Sequence, residues 1–122
     1  MNDLKELLQR FGLEWFNRYY GIYRAQVASN EDPEFCGRLK LKIPQIYGEG
    51  TYDYWAWSFG IYAGMNKGFV ALPSVGDWVW VQFENGEAEK PVWSYGWWGK
   101  GDMPSEFKQD YSEVTTLQTT GG

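Results

Sequence analysis

At 122 residues, with 43% hydrophobic and 22% charged side chains, the chain is long enough for one globular domain with a real core and too short for two. It has no histidine and a single cysteine, which excludes His-based triads, His metal sites, an intramolecular disulfide and a thiolate metal cluster. Its net charge of −5 works against a phosphate-backbone partner, so no nucleic acid is expected.

Residues 3–18 predict an amphipathic helix. Asn2 or Asp3 is placed to cap it, Glu6 lies in the first turn, and Leu4, Leu7, Leu8, Phe11, Trp15 and Phe16 recur at three- and four-residue steps. Gly12 weakens it. Its apolar stripe must pack on the same domain or on another chain. From Tyr20 the period changes to two: Tyr23, Ala25 and Val27 alternate with Arg24, Gln26 and Ala28. Residues 29–33 are polar turn material. Cys36, beside Gly37, reads as a small turn or strand residue, since a nucleophile there lacks a base.

Leu39, Leu41 and Ile43 then alternate with Arg38, Lys40 and Lys42, the pattern of a half-buried strand that Pro44 ends. Residues 45–68 are glycine-punctuated; a short strand near 54–58 and a loop over 60–68 are expected. Phe69–Pro73 reads as an extended segment entering a turn. Val75-Gly76-Asp77 is a tight turn, because glycine takes positive φ cheaply and aspartate bonds its own backbone. In the strand that follows, Val79, Val81 and Phe83 share one face and Trp78, Trp80 and Gln82 the other. The first fits a core. The second is too apolar for open water, and its expected cover is the N-terminal helix, the 52–59 segment or a neighbouring subunit.

Asn85-Gly86 is a hairpin-type turn signal inside an acidic loop. Residues 91–98 form the last clear strand. Beyond Gly99 the chain is polar, with a linker at 100–104 and a potential β extension at 114–120. The division is therefore a helix at 1–18, a barrel at 19–100 and a linker or extension at 101–122. The fold class expected is all-β: a five-stranded OB-type Greek-key barrel with an N-terminal α-helix.

Aromatic residues make up 20% of the chain, with eight Trp, nine Tyr and seven Phe. A small barrel cannot bury all of them inside, so some form a partner face or simply cover the barrel's outside and end. Charge is uneven. Residues 1–48 carry seven basic and six acidic side chains, and residues 49–122 carry four and ten, a division that fits self-complementary assembly. No apolar run approaches the roughly 18 residues that span a membrane, and the N-terminus lacks a basic-then-apolar signal. A chain made and kept in a cytoplasm, or packaged from it, is expected.

The blocks Asp32-Pro33, Gly37-Arg38 with its alternating strand and Pro44, Pro73-x-Val75-Gly76-Asp77-x-Val79-x-Val81-x-Phe83-Glu84 and Pro91-Val92, with Gly68 and Gly96, occur in a fixed order. In that order they resemble the OB-fold domain of contractile-tail spike proteins: phage baseplate assembly and tail-spike hub proteins, and the VgrG spikes of type VI secretion. The resemblance covers roughly residues 20–100. It implies a homotrimer located in a virion tail baseplate or injection particle, between a hub on the tail tube and a needle, β-helix or tip protein. The target-cell envelope would be met by the assembly rather than by this domain. Residues 119–122 resemble the lead-in to such a needle. The structural motif residues it implies are Gly37, Arg38, Pro44, Pro73, Gly76, Asp77 and Pro91.

Asp53 and Asp77 sit beside aromatics, as a glycosidase acid would, but no second acid completes a pair, and neither catalysis nor a cofactor or metal is expected. Arg38, Lys40 and Lys42, with Arg24 beside them, line a strand face of the kind on which OB-folds bind single-stranded nucleic acid; that face is otherwise solvated or pairs with a neighbour's carboxylates. A cell-wall carbohydrate module using Trp55, Trp57, Trp97 and Trp98 as platforms is a further alternative. The candidate partner interface is Arg38, Lys40, Lys42, Trp78, Trp80, Trp97 and Trp98.

Overall fold

A computed structural model describes residues 18–105 and 117–119. The helix expected over 3–18, apart from Arg18, and most of the extension expected over 114–120 lie outside the described residues. Arg18 itself forms an antiparallel bridge with Glu87, and residues 117–119 carry no strand.

The strands are β1 (Tyr23–Ser29), β2 (Lys40–Lys42), β3 (Trp57–Ser58), β4 (Ala63–Gly64), β5 (Lys67–Gly68), β6 (Trp78–Phe83) and β7 (Pro91–Gly96). A four-residue helix, α1 (Pro44–Tyr47), follows β2. Five strands form one sheet in the order β2-β1-β6-β7-β3, while β4 and β5 pair only with each other. All pairs in the large sheet are antiparallel except β3 with β7.

The segment before β3 joins the two edges of this sheet. Leu39 and Ala56 exchange backbone hydrogen bonds at 3.0 and 2.8 Å, and the Tyr52 N–H donates to the Leu41 carbonyl at 2.7 Å. Residues 51–58 therefore bond β2 on one side and the Val92-Trp93 part of β7 on the other, which joins the two edges over part of their length. This is the five-stranded OB-type Greek-key barrel that the period-2 blocks predict. Two bulges bend it, at Ala28 between β1 and β2 and at Tyr95 between β6 and β7.

Alternation sets the core. Ala25, Val27, Leu39, Leu41, Ile43, Val79 and Val81 are no more than 2% exposed, and Pro91 is fully buried at the start of β7. Pro is tolerated there because it is the first residue of its strand. Tyr23, Tyr52 and Phe83 close one end of the core, with ring centroids 6.0 Å apart for Tyr23–Phe83 and for Tyr52–Phe83 and Tyr19 packed on Phe83 at 5.1 Å. The Tyr52 hydroxyl donates to the Ala88 carbonyl at 2.7 Å, and burial pushes its pKa up to about 12.

Three local expectations change. Pro44 ends β2 as predicted but also opens α1 at its first turn, where its missing N–H costs nothing. The 54–58 strand shrinks to Trp57–Ser58 plus the Ala56 bridge. The 60–68 loop contains the β4–β5 hairpin, with Ala63 opposite Gly68 and Gly64 opposite Lys67. Asn66 takes φ 56°, as its short polar side chain allows. Asn85 and Gly86 take positive φ, as their turn signal requires, within a 3-10 turn at Glu84–Gly86.

Candidate partner interface

The motif residues of the first block converge on one carboxylate. Asp32 is buried, and its Oδ atoms accept the backbone N–H groups of Glu34 and Cys36 at 2.9 Å and of Arg38 at 3.2 Å. The Arg38 guanidinium adds Nε to Oδ2 at 3.0 Å and Nη2 to Oδ1 at 2.8 Å, and reaches Glu34 at 2.7 Å. That guanidinium, helped by the three N–H donors, holds the Asp32 carboxyl well below the usual carboxylate range. Gly37 takes φ 74°, and its carbonyl accepts the Trp93 indole N–H at 3.1 Å. The loop is thereby tied to β7.

The second block is a turn of the same logic. Asp77 accepts the Ser74 N–H at 2.9 Å, and Gly76 takes φ 95° while its N–H donates to the Val27 carbonyl at 2.9 Å. The Pro73 carbonyl accepts Asn30 Nδ2 at 2.9 Å. Asp77 has this turn role, and Asp53 accepts the Tyr47 hydroxyl at 3.2 Å. Among the described residues, no three His, Cys, Asp or Glu side chains cluster as metal ligands would.

The cationic stripe divides. Lys40 and Lys42 alternate outward on β2, with Lys42 exposed. Arg38 precedes the strand, and its side chain is bound to Asp32 and lies 5.3 Å from the rings of Trp55 and Trp57. Lys40 donates to the Asp53 carbonyl and also lies 5.3 Å from Trp55. Arg38 is therefore part of a loop clamp, and Lys42 is the member of the stripe whose side chain is most open to solvent.

The Trp face of β6 is partly covered from within the chain. The Trp97 ring packs on Trp78 at 4.8 Å and Trp80 at 6.0 Å, and Trp97 Nε1 donates to the Val79 carbonyl at 3.1 Å. Arg24 lies over Trp97 at 4.5 Å and over Trp80 at 5.4 Å. The cover expected from other segments is thus supplied, among the described residues, by the residue just past β7 and by β1. Trp98 is 61% exposed.

A further apolar exposure lies elsewhere. A groove of about 810 Å³ is lined by Phe35, Gly37, Trp57, Phe59, Leu72 and Tyr95, among others. Every residue from 57 to 72 is exposed, and none but Lys67 carries a charge. Of this surface the sequence pointed only to Trp57, as a carbohydrate platform. Its signal was the two glycines around Met65-Asn66-Lys67, which punctuate a hairpin rather than a loop.

None of the curated proteins compared with the chain matches it. Residues 23–98, well over half of the chain, match the family of the type VI secretion system/phage-baseplate injector OB domain. The matched span contains the whole five-stranded barrel, the Asp32–Arg38 clamp and the Gly76-Asp77 turn. This is a family of structural baseplate and spike domains rather than of enzymes, which makes the chain a tail or injection-particle component. On that match the chain belongs to the type VI secretion system/phage-baseplate injector OB-domain family.

Proposed function

We propose that this chain forms the homotrimeric OB collar of a contractile injection spike, between the tail-tube hub and a membrane-piercing needle or tip. The observation that carries the reading is the family match over the barrel, joined to a broad apolar surface on the outside of that barrel. A collar needs a stiff ring element and lateral contact area, not chemistry. The barrel's two edges are joined through residues 51–58, and its loops are held by the Asp32 clamp and the Asp77 turn.

The nucleic-acid and carbohydrate alternatives draw less support. Arg38 is bound to Asp32, and Trp97 is stacked between Arg24 and the β6 tryptophans, so neither is a free platform for a base or a sugar ring. Co-purification with the hub protein tests the reading. A collar co-assembles with hub and needle or tip, whereas a chain that ignores both is not a collar. Oligonucleotide binding at low salt that falls steeply as salt rises would favour the rival reading.

A further inference from the structure

The β4–β5 hairpin is an unusual thing to leave in water. It consists of two residue pairs, and a lone two-stranded hairpin is marginal in aqueous solution. Two of its four strand residues are glycines with no side chain to pack. Gly68 is required, because its φ is 151° and a Cβ there would sit 2.8 Å from the Tyr62 carbonyl oxygen. Yet the side chains around this narrow ribbon are large and apolar. Trp57, Phe59, Ile61, Tyr62, Met65 and Val70 are between 51 and 93% exposed.

The area is that of an interface. Taking an aromatic side chain at 150–250 Å² and these residues as half or more exposed gives roughly 800 Å² of apolar surface over residues 57–72. The largest patch on an ordinary monomer is about 300–600 Å², and a standard interface buries about 800 Å² per partner. The patch also has two complementary shapes. The groove is lined by Cys36 and Gly37, by Phe59 and Leu72, and by Ala63 and Gly68 of the hairpin itself. Met65, 93% exposed at the hairpin tip, stands outside that lining. A groove and an apolar tip that stands outside it suit a head-to-tail contact between copies, which gives a ring where the rotation closes.

We propose that the occupant of this groove is a second copy of the chain: the hairpin tip of one protomer, led by Met65, seats in the groove of the next. The proposal rests on the collar reading and specifies its lateral contact.

The chain's own Cys36, exposed in the groove wall, is the reporter. In Met65→Cys, mild copper–phenanthroline oxidation should give covalent dimers and trimers on a non-reducing gel. Met65→Cys combined with Cys36→Ser should give none. Independently, Phe59→Asp with Ile61→Asp should lower the assembled fraction at least tenfold while the far-UV circular dichroism of the barrel is unchanged. If the wild type sediments as a trimer but Met65→Cys stays monomeric on the gel and the Asp variant still assembles, this surface is wrong and the collar reading survives. Cross-linking to a hub or needle protein in place of a second copy overturns the proposed occupant. A wild type that is monomeric at every concentration overturns both.

Discussion

Asp32 grips Arg38 with both carboxylate oxygens, Oδ2 to Nε at 3.0 Å and Oδ1 to Nη2 at 2.8 Å, across a loop of only six residues. The same carboxylate takes three backbone N–H groups of that loop, so one side chain replaces the regular pairing the loop lacks. Asp32→Asn keeps the shape but loses the charge. It should lower the urea midpoint at pH 7 by more than Lys90→Ala, whose ion pair with Glu87 is exposed and short-range in sequence. Because the folded Asp32 pKa lies below its ordinary 3.8, the stabilisation is present above that value and is lost as pH falls through the folded pKa. The gap between the midpoints of wild type and Asp32→Asn should therefore begin to narrow as pH falls below about 4 and close only once pH has passed the folded pKa. Arg38 stays charged at every workable pH and adds no slope of its own.

Tyr52 sets the alkaline limit. Its folded pKa is raised from 10.0 to about 12, chiefly by burial, so its contribution is whole below 10 and is lost as pH rises through about 12. Tyr52→Phe removes the 2.7 Å bond to the Ala88 carbonyl and should cost about 1 kcal/mol at neutral pH. The variant should then lose less stability than wild type between pH 10 and pH 12, measured by denaturant midpoints.

Leu41 lies in the middle of β2, paired with Val27 of β1, and is 1% exposed. Leu41→Ala should cost about 2–5 kcal/mol, the range for a buried leucine truncated in a packed core. An equilibrium urea curve with unchanged slope and a lower midpoint is the expected form.

Arg24 and Trp97 should be energetically coupled. A double-mutant cycle of Arg24→Ala and Trp97→Ala should return about 0.5–1 kcal/mol, the scale of an exposed cation–π contact at 4.5 Å. Additive effects would mean that Trp97 covers Trp78 and Trp80 without help from Arg24.

Gly68→Ala should unmake the hairpin and leave the barrel. Its φ of 151° and the 2.8 Å approach to the Tyr62 carbonyl admit no side chain. Since β4 and β5 pair only with each other, hydrogen-exchange protection should fall at residues 62–69 and persist in β1, β6 and β7.

The barrel was legible because its strands are buried on one face, so Tyr23-Ala25-Val27, Leu39-Leu41-Ile43 and Val79-Val81-Phe83 wrote their period directly into the chain. The motif blocks were legible for a related reason. Gly37, Gly76 and the Asp77 turn need particular residue types at particular backbone angles. The hairpin was not legible. With two pairs and no buried side chain it has no hydrophobic period, and its apolar residues read the same as a loop. Nor was the fate of Arg38, because alternation with Lys40 and Lys42 says which way a strand residue points and nothing about an acid six residues upstream. Trp93 was hidden likewise. Only the fold brings its indole to the Gly37 carbonyl, 56 positions away in sequence.

The central claim is that the domain is a ring-forming collar, and its mass in solution is the most direct test. Analytical ultracentrifugation of the chain at micromolar concentration should show a species of three times 14.2 kDa. That species should revert to one 14.2 kDa unit in the Phe59→Asp, Ile61→Asp variant. A wild type that sediments at 14.2 kDa across the whole concentration range would contradict the account.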